Sequence, residues 1–278
     1  MRRHLVLCLA ASLAVSGCVH VHLGARNLLA PDDPPAAAHL AANYIVEETS
    51  ILRSGRTVGI TRAHRPGNGT VIIFCGGDQF HRSMEGGSVL TALARNADVV
   101  LFDYPGFGTS TGTPSPASIL DNARTVGEYV AGLATTARQK RVLYGFSLGG
   151  VVAAQLAAEQ PVDGVVLEAT SPDVTSWARS QVPWFAKPFV RLELEPELAR
   201  IDNVRALARF SGRILVLAGE KDSRAPPALS RKIARGLAAH GRNIELREFA
   251  GAGHGEIYRS PQFQPTIHQF LANLGGLQ

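Results

Sequence analysis

Short apolar runs recur through this chain at intervals filled by helical spacing, and this alternation limits its fold more than any other feature. Val71-Ile72-Ile73-Phe74, Val99-Val100-Leu101-Phe102, Arg141 to Tyr144, Gly164 to Glu168 and Ile214 to Ala218 read as strands, and the first two have no polar face. A strand without a polar face must be covered on both sides, as in a parallel sheet packed between helices. Helical spacing over Met84–Asn96, Ala117–Thr136, Ser147–Gln160 and Pro227–Ala239 supplies the covers. Strand Ile244–Phe249 and helix Gln262–Leu274 close the chain, and Tyr44–Thr49 and Arg56–Ala63 open it as two strands around a turn at Ser54-Gly55. The expectation is an α/β domain with a mostly parallel central sheet, whose site lies at the carboxyl ends of the strands. The rhythm breaks only over 170–209, where Trp177, Trp184, Phe185 and Phe189 stand among Pro183, Pro188 and Pro196; this reads as a short helical cap.

The N-terminus reads differently. Arg2 and Arg3 precede an apolar stretch, Leu5 to Val15, too short for a stable membrane span, and small residues follow. The segment ends Val15-Ser16-Gly17-Cys18, which resembles a bacterial lipobox. On that resemblance residues 1–17 are a signal peptide and Cys18 is the lipidated first residue of the mature protein. Residues 18–43, rich in Pro and Ala, form a tether, and 44–278 form the domain. The implied location is the cell envelope, as an outer-membrane lipoprotein facing the periplasm, because Val19 rather than Asp follows the cysteine. Of the three cysteines, Cys8 would be removed and Cys18 acylated, so Cys75 has no partner for a disulfide. Net charge is +5, but no Lys/Arg block tracks a phosphate backbone, and nucleic acid is not an expected partner.

Chemistry concentrates at Gly145-Phe146-Ser147-Leu148-Gly149, a G-x-S-x-G pentapeptide. The same pattern occurs at Gly108-Thr109-Ser110-Thr111-Gly112, so the pattern alone decides nothing. A nucleophile elbow needs a strand running straight into a helix. Val142-Leu143-Tyr144 precedes Ser147 and an apolar helix follows it. Ser110 lies several residues beyond its strand, and Pro114 and Pro116 after it oppose a helix. Ser147 is therefore the expected nucleophile.

A serine hydroxyl needs a base, and behind an elbow the chain order is serine, acid, histidine. Three histidines come late enough: His240 at a helix end, His268 inside the last helix, and His254 in the glycine-rich loop after the last strand. His254 is the expected base. For the acid, Asp222 in Gly219-Glu220-Lys221-Asp222 comes first, Glu220 on the same loop is its rival, and Glu168 stands third. An oxyanion hole would use the backbone N–H of Leu148 and a second from Cys75-Gly76-Gly77-Asp78, with Gly77 ahead of Asp78.

CGGD after a strand, DYPGFGTS, GFSLGG, LAGEKD and GAGH fall in the order seen in α/β-hydrolase serine enzymes. Over residues 45 to 275 the chain resembles the branch containing bacterial alpha/beta hydrolases and depalmitoylating-type thioesterases, which carries His-Gly where this chain has Cys75-Gly76. The resemblance implies hydrolysis of a carboxylic ester or thioester through an acyl-Ser147 intermediate, on a small-molecule or lipid-like acyl substrate, without metal or organic cofactor. A peptidase or amidase could use the same three residues. A catalytically silent envelope binding protein has the intact trio against it. The cap aromatics fit either of two roles, lining a site for an apolar acyl chain or forming the core of the cap itself.

Overall fold

The computed structural model describes residues 19–23 and 38–275. The stretch expected to be a signal peptide and Cys18 lie outside them, as does most of the expected tether. Eight strands form the central sheet: β2 (Ile45–Arg53), β3 (Arg56–His64), β4 (Thr70–Cys75), β5 (Asp98–Phe102), β6 (Lys140–Phe146), β7 (Gly164–Glu168), β9 (Arg213–Gly219) and β10 (Ile244–Phe249). Their spatial order is β10-β9-β7-β6-β4-β5-β3-β2. β3 pairs antiparallel with β2 and with β5, and every other neighbouring pair is parallel. The hairpin turn falls at Ser54 and Gly55, both with positive φ (50° and 74°), the geometry that matches the right-handed twist of the flanking strands.

Strand pleat sends successive side chains to opposite faces. Val71 and Ile73 join one core with Ile119 and Val126 of α2 (Pro116–Gly132), Val152 and Leu156 of α3 (Leu148–Glu159), and Ile233 of α7 (Pro227–Ala239). Ile72 and Phe74 join a second core with Leu90 and Leu93 of α1 (Gly86–Leu93) and Phe263, Ile267 and Phe270 of α8 (Phe263–Ala272). The sheet is thus covered on both faces, as its unbroken apolar runs require.

The segment over 170–209 is not purely helical. It contains α4 (Val174–Gln181), α5 (Pro196–Ala199) and α6 (Asn203–Leu207), but also a strand, β8 (Val190–Leu194). This strand pairs in parallel with β1 (Val19–Leu23), from the stretch read as tether, in a separate two-stranded sheet. The alternation Val-Arg-Leu-Glu-Leu carries the strand period, which the surrounding prolines obscured.

Pro116 also behaves otherwise than expected. It opens α2 at the first helical position, behind a Ser115 capping box. There its missing N–H has no intrahelical acceptor to lose and its fixed φ suits the helix. Ser110 is nonetheless no elbow. It is buried, its Oγ accepts from the Gly59 N–H (2.9 Å) and donates to the Asp103 carbonyl (2.8 Å), and it thereby ties β3 to the loop after β5. Ser110→Ala should therefore lower stability by about 1–3 kcal/mol, chiefly by stranding the buried Gly59 N–H, since the Asp103 carbonyl keeps the Asn122 amide as a donor. Chemical denaturation should detect this loss, with turnover per folded molecule unchanged.

Candidate active site

β4, β6, β7 and β9 end side by side, and the loops leaving them converge. Ser147 follows β6 directly and is followed at once by α3, with φ 54° and ψ −115°. That is a sparsely populated backbone state for a residue with a Cβ, and strain of this kind persists only where the surroundings enforce it. They do. A Cβ on Gly149 would lie 1.9 Å from the Cys75 carbonyl oxygen, and one on Gly145 would lie 2.3 Å from the Gly149 carbonyl oxygen. Only glycine at both positions lets the turn close against β4. On the other side the Ser147 N–H donates to the Glu168 carbonyl (2.9 Å).

His254 sits in the loop after β10. Its Nε2 is 3.2 Å from Ser147 Oγ and its Nδ1 2.8 Å from Asp222 Oδ2. A carboxylate can only accept, so Nδ1 carries the proton and the Nε2 lone pair faces the hydroxyl. The Asp222 side chain is fully buried, and its other oxygen accepts from the N–H groups of Arg224 (2.9 Å) and Ala225 (2.8 Å). These bonds lock the carboxylate plane toward the imidazole. Phe146 packs on the His254 ring, with centroids 5.0 Å apart.

The other candidates have different places. His240 caps the end of α7 and His268 lies on α8, both exposed. Glu220 is exposed and accepts from the Gly251 N–H (2.8 Å), which anchors the start of the His254 loop. Leu148 is the first residue of α3, so its N–H has no intrahelical acceptor. Gly77 abuts the elbow: a Cβ there would meet Phe146 at 3.1 Å and Ser147 Cβ at 3.6 Å. Asp78 turns its carboxylate to Arg224 instead (2.9 Å). The Gly76 carbonyl accepts from the buried Tyr104 hydroxyl (2.8 Å), which holds this loop from beneath. Cys75, in the place of the expected histidine, is fully buried, and desolvation pushes its thiol up to about 12, so it stays protonated.

Beside His254 opens a cavity of about 320 Å³. Phe74, Phe80, Val89, Leu93, Tyr258 and Phe263 give it apolar walls, and the Asp78–Arg224 pair lies at its edge. None of the four cap aromatics lines it; Trp184, Phe185 and Phe189 are exposed, and Trp177 donates to the Arg224 carbonyl (3.1 Å). The apolar site predicted from the cap is thus built instead from the β4 loop, α1 and α8.

Glu168 also lines this cavity, and its carboxylate accepts from the Tyr144 hydroxyl (2.5 Å). The sequence ranked Glu168 as a spare acid and did not show this pairing, because neither residue has a marked neighbourhood; only the β6–β7 register brings them together. Burial raises the Glu168 carboxyl from 4.5 to about 7, against the lowering effect of Tyr144 and of His254.

The chain has the α/β-hydrolase fold. A family model for the alpha/beta hydrolase fold matches residues 69–201. An esterase of Pyrococcus furiosus superposes with a TM-score of 0.67 at 18% identity, over 88% of this chain and 98% of that one. In sequence, an uncharacterized protein of Mycobacterium tuberculosis is 28% identical over 207 residues, 74% of this chain and 70% of that protein. The lysophosphatidylserine lipase ABHD12 of Xenopus tropicalis is 28% identical over 198 residues, 63% of this chain and 50% of the lipase.

The raised Glu168 carboxyl makes stability depend on pH. The unfolded chain gives up this proton near 4.5 and the folded one near 7, so the stabilisation is complete below 4.5 and is lost as pH rises to about 7. In Glu168→Gln that part of the slope should vanish, so that the variant gains on the wild type by a few kcal/mol at most between about pH 4.5 and 7. Denaturant titrations across this range measure it; parallel curves would contradict the assignment.

Proposed function

We propose that this protein is a serine hydrolase that cleaves a carboxylic ester or thioester through an acyl-Ser147 intermediate. The observation that carries the reading is the continuous line from Ser147 Oγ through His254 to the buried Asp222 carboxylate, at 3.2 and 2.8 Å. Ser147 Oγ attacks the acyl carbonyl while its proton passes to His254 Nε2. Asp222 holds the imidazole in the required tautomer and stabilises the imidazolium. The N–H groups of Leu148 and Gly77 receive the oxyanion. The imidazolium then protonates the leaving alcohol or thiol, and a water activated by the same histidine releases the acid. The apolar cavity beside His254 suits a lipid-like acyl chain, and the similarity to an esterase and to a lysophosphatidylserine lipase supports an ester of that kind.

The location is part of the same reading: an exported protein held at the envelope membrane by lipid on Cys18, with the domain facing the periplasm. Among the described residues no helix is long and apolar enough to cross a membrane.

A fluorophosphonate probe should label Ser147. Ser147→Ala should remain folded while turnover falls by roughly five to six orders of magnitude, and His254→Ala should match it because the two act as a unit. Asp222→Asn should cost about 10⁴-fold through the wrong tautomer, and Glu220→Gln far less. Labelling at another serine, or the reverse order for the two acids, would overturn the assignment. For the anchor, intact mass of the membrane fraction should show lipid on Cys18. Cys18→Ser should leave the protein uncleaved or move it to the soluble fraction, with kcat on a soluble ester unchanged.

A further inference from the structure

Trp184, Phe185 and Phe189 stand on one short stretch of the cap with relative exposures of 82, 63 and 66%. Three neighbouring aromatic rings held in water are costly, and they fill no part of the cavity. Trp184 and Phe185 stack edge to face at 5.9 Å, so the patch is a structured surface. Exposed Lys187 lies between the rings in sequence, and exposed Arg191 follows them. Aromatic rings flanked by Lys and Arg are the composition of a protein surface that rests at the headgroup level of a bilayer.

The backbone says which way this surface faces. In the parallel pairing of β1 with β8, Val19 is opposite Val190. β1 therefore begins at the end of β8 that adjoins Phe189. The first described residue of the chain, Val19, is thus paired beside the aromatic stretch of the cap. On the inner side, α4 connects the patch to the cavity. The Trp177 indole and the Gln181 amide both donate to the Arg224 carbonyl (3.1 and 3.0 Å), and Pro183 to Phe189 follow directly.

We infer that the Trp184–Phe185–Phe189 face of the cap seats on an anionic phospholipid bilayer, so that the cavity beside His254 is filled from the membrane surface. This deepens the functional reading, since it rests on the placement of the chain at a membrane; it adds the surface that makes the contact. A single lipid chain would leave the domain free to rotate, whereas this second contact gives it one orientation.

The test uses the full-length chain and vesicles of phosphatidylcholine and phosphatidylglycerol, with acyl chains either plain or brominated near the headgroup. Brominated lipid should quench about half of the tryptophan emission, since Trp184 is one of two tryptophans; the quenching should disappear in Trp184→Phe. Phe185→Ser combined with Phe189→Ser, in the Cys18→Ser background, should weaken vesicle partition about tenfold, and omitting phosphatidylglycerol should weaken it as well. Co-flotation of the wild type without quenching of Trp184 would overturn the inference. So would Trp184 emission that is already shielded without lipid and reverts on dilution, which would assign the patch to a second copy of the chain. These readouts are spectroscopic, so a failed hydrolase reading would show separately, as an unlabelled Ser147 on a protein whose Trp184 is still quenched.

Discussion

Everything at the strand ends depends on a contact between two stretches of main chain. The elbow around Ser147 rests against the end of β4 so closely that Gly149 has no room for a methyl group beside the Cys75 carbonyl. Given that contact, Ser147 takes its strained φ and α3 starts directly after it, with an opening N–H that has no acceptor inside the helix. The Tyr104 hydroxyl fixes the same loop from below through the Gly76 carbonyl. The site is therefore organised first by backbone, and the side chains of His254 and Asp222 are brought to a serine whose position is already decided.

The sequence exposed those parts of the architecture that rest on local chemistry. Apolar runs without a polar face identified the sheet's interior, and a strand meeting a helix with glycines at both flanks identified Ser147. The register of β6 against β7 is not a local property, and with it the Tyr144–Glu168 pair was hidden. Pro116 misled because its effect on a helix depends on position: inside one it breaks, at the first turn it begins. Strand β8 was masked by the prolines around it and by the distance to its partner β1. The aromatics of the cap drew attention as a pocket lining, since apolar side chains in a sequence carry no mark of which side of a segment faces water.

The two carboxyls near His254 show how location separates chemically similar groups. Asp222 accepts from two backbone N–H groups and from the imidazole Nδ1, which fix its orientation. Glu168, one strand away, has a single phenol donor and an apolar cavity. One is held in place at the base of the imidazole, and the other is placed to gain and lose a proton within the physiological range.

The pairing of β1 with β8 has a mechanical consequence. Were the chain held ahead of Val19, as proposed, tension on the body of the domain would enter through Val19 and be carried first by a five-residue parallel ladder to the cap. That ladder lies in a sheet of its own, separate from the eight strands that hold Ser147, Asp222 and His254. A pull from that side would then shear this small sheet before it loaded the large one, and the ladder would act as a fuse that spares the strand ends.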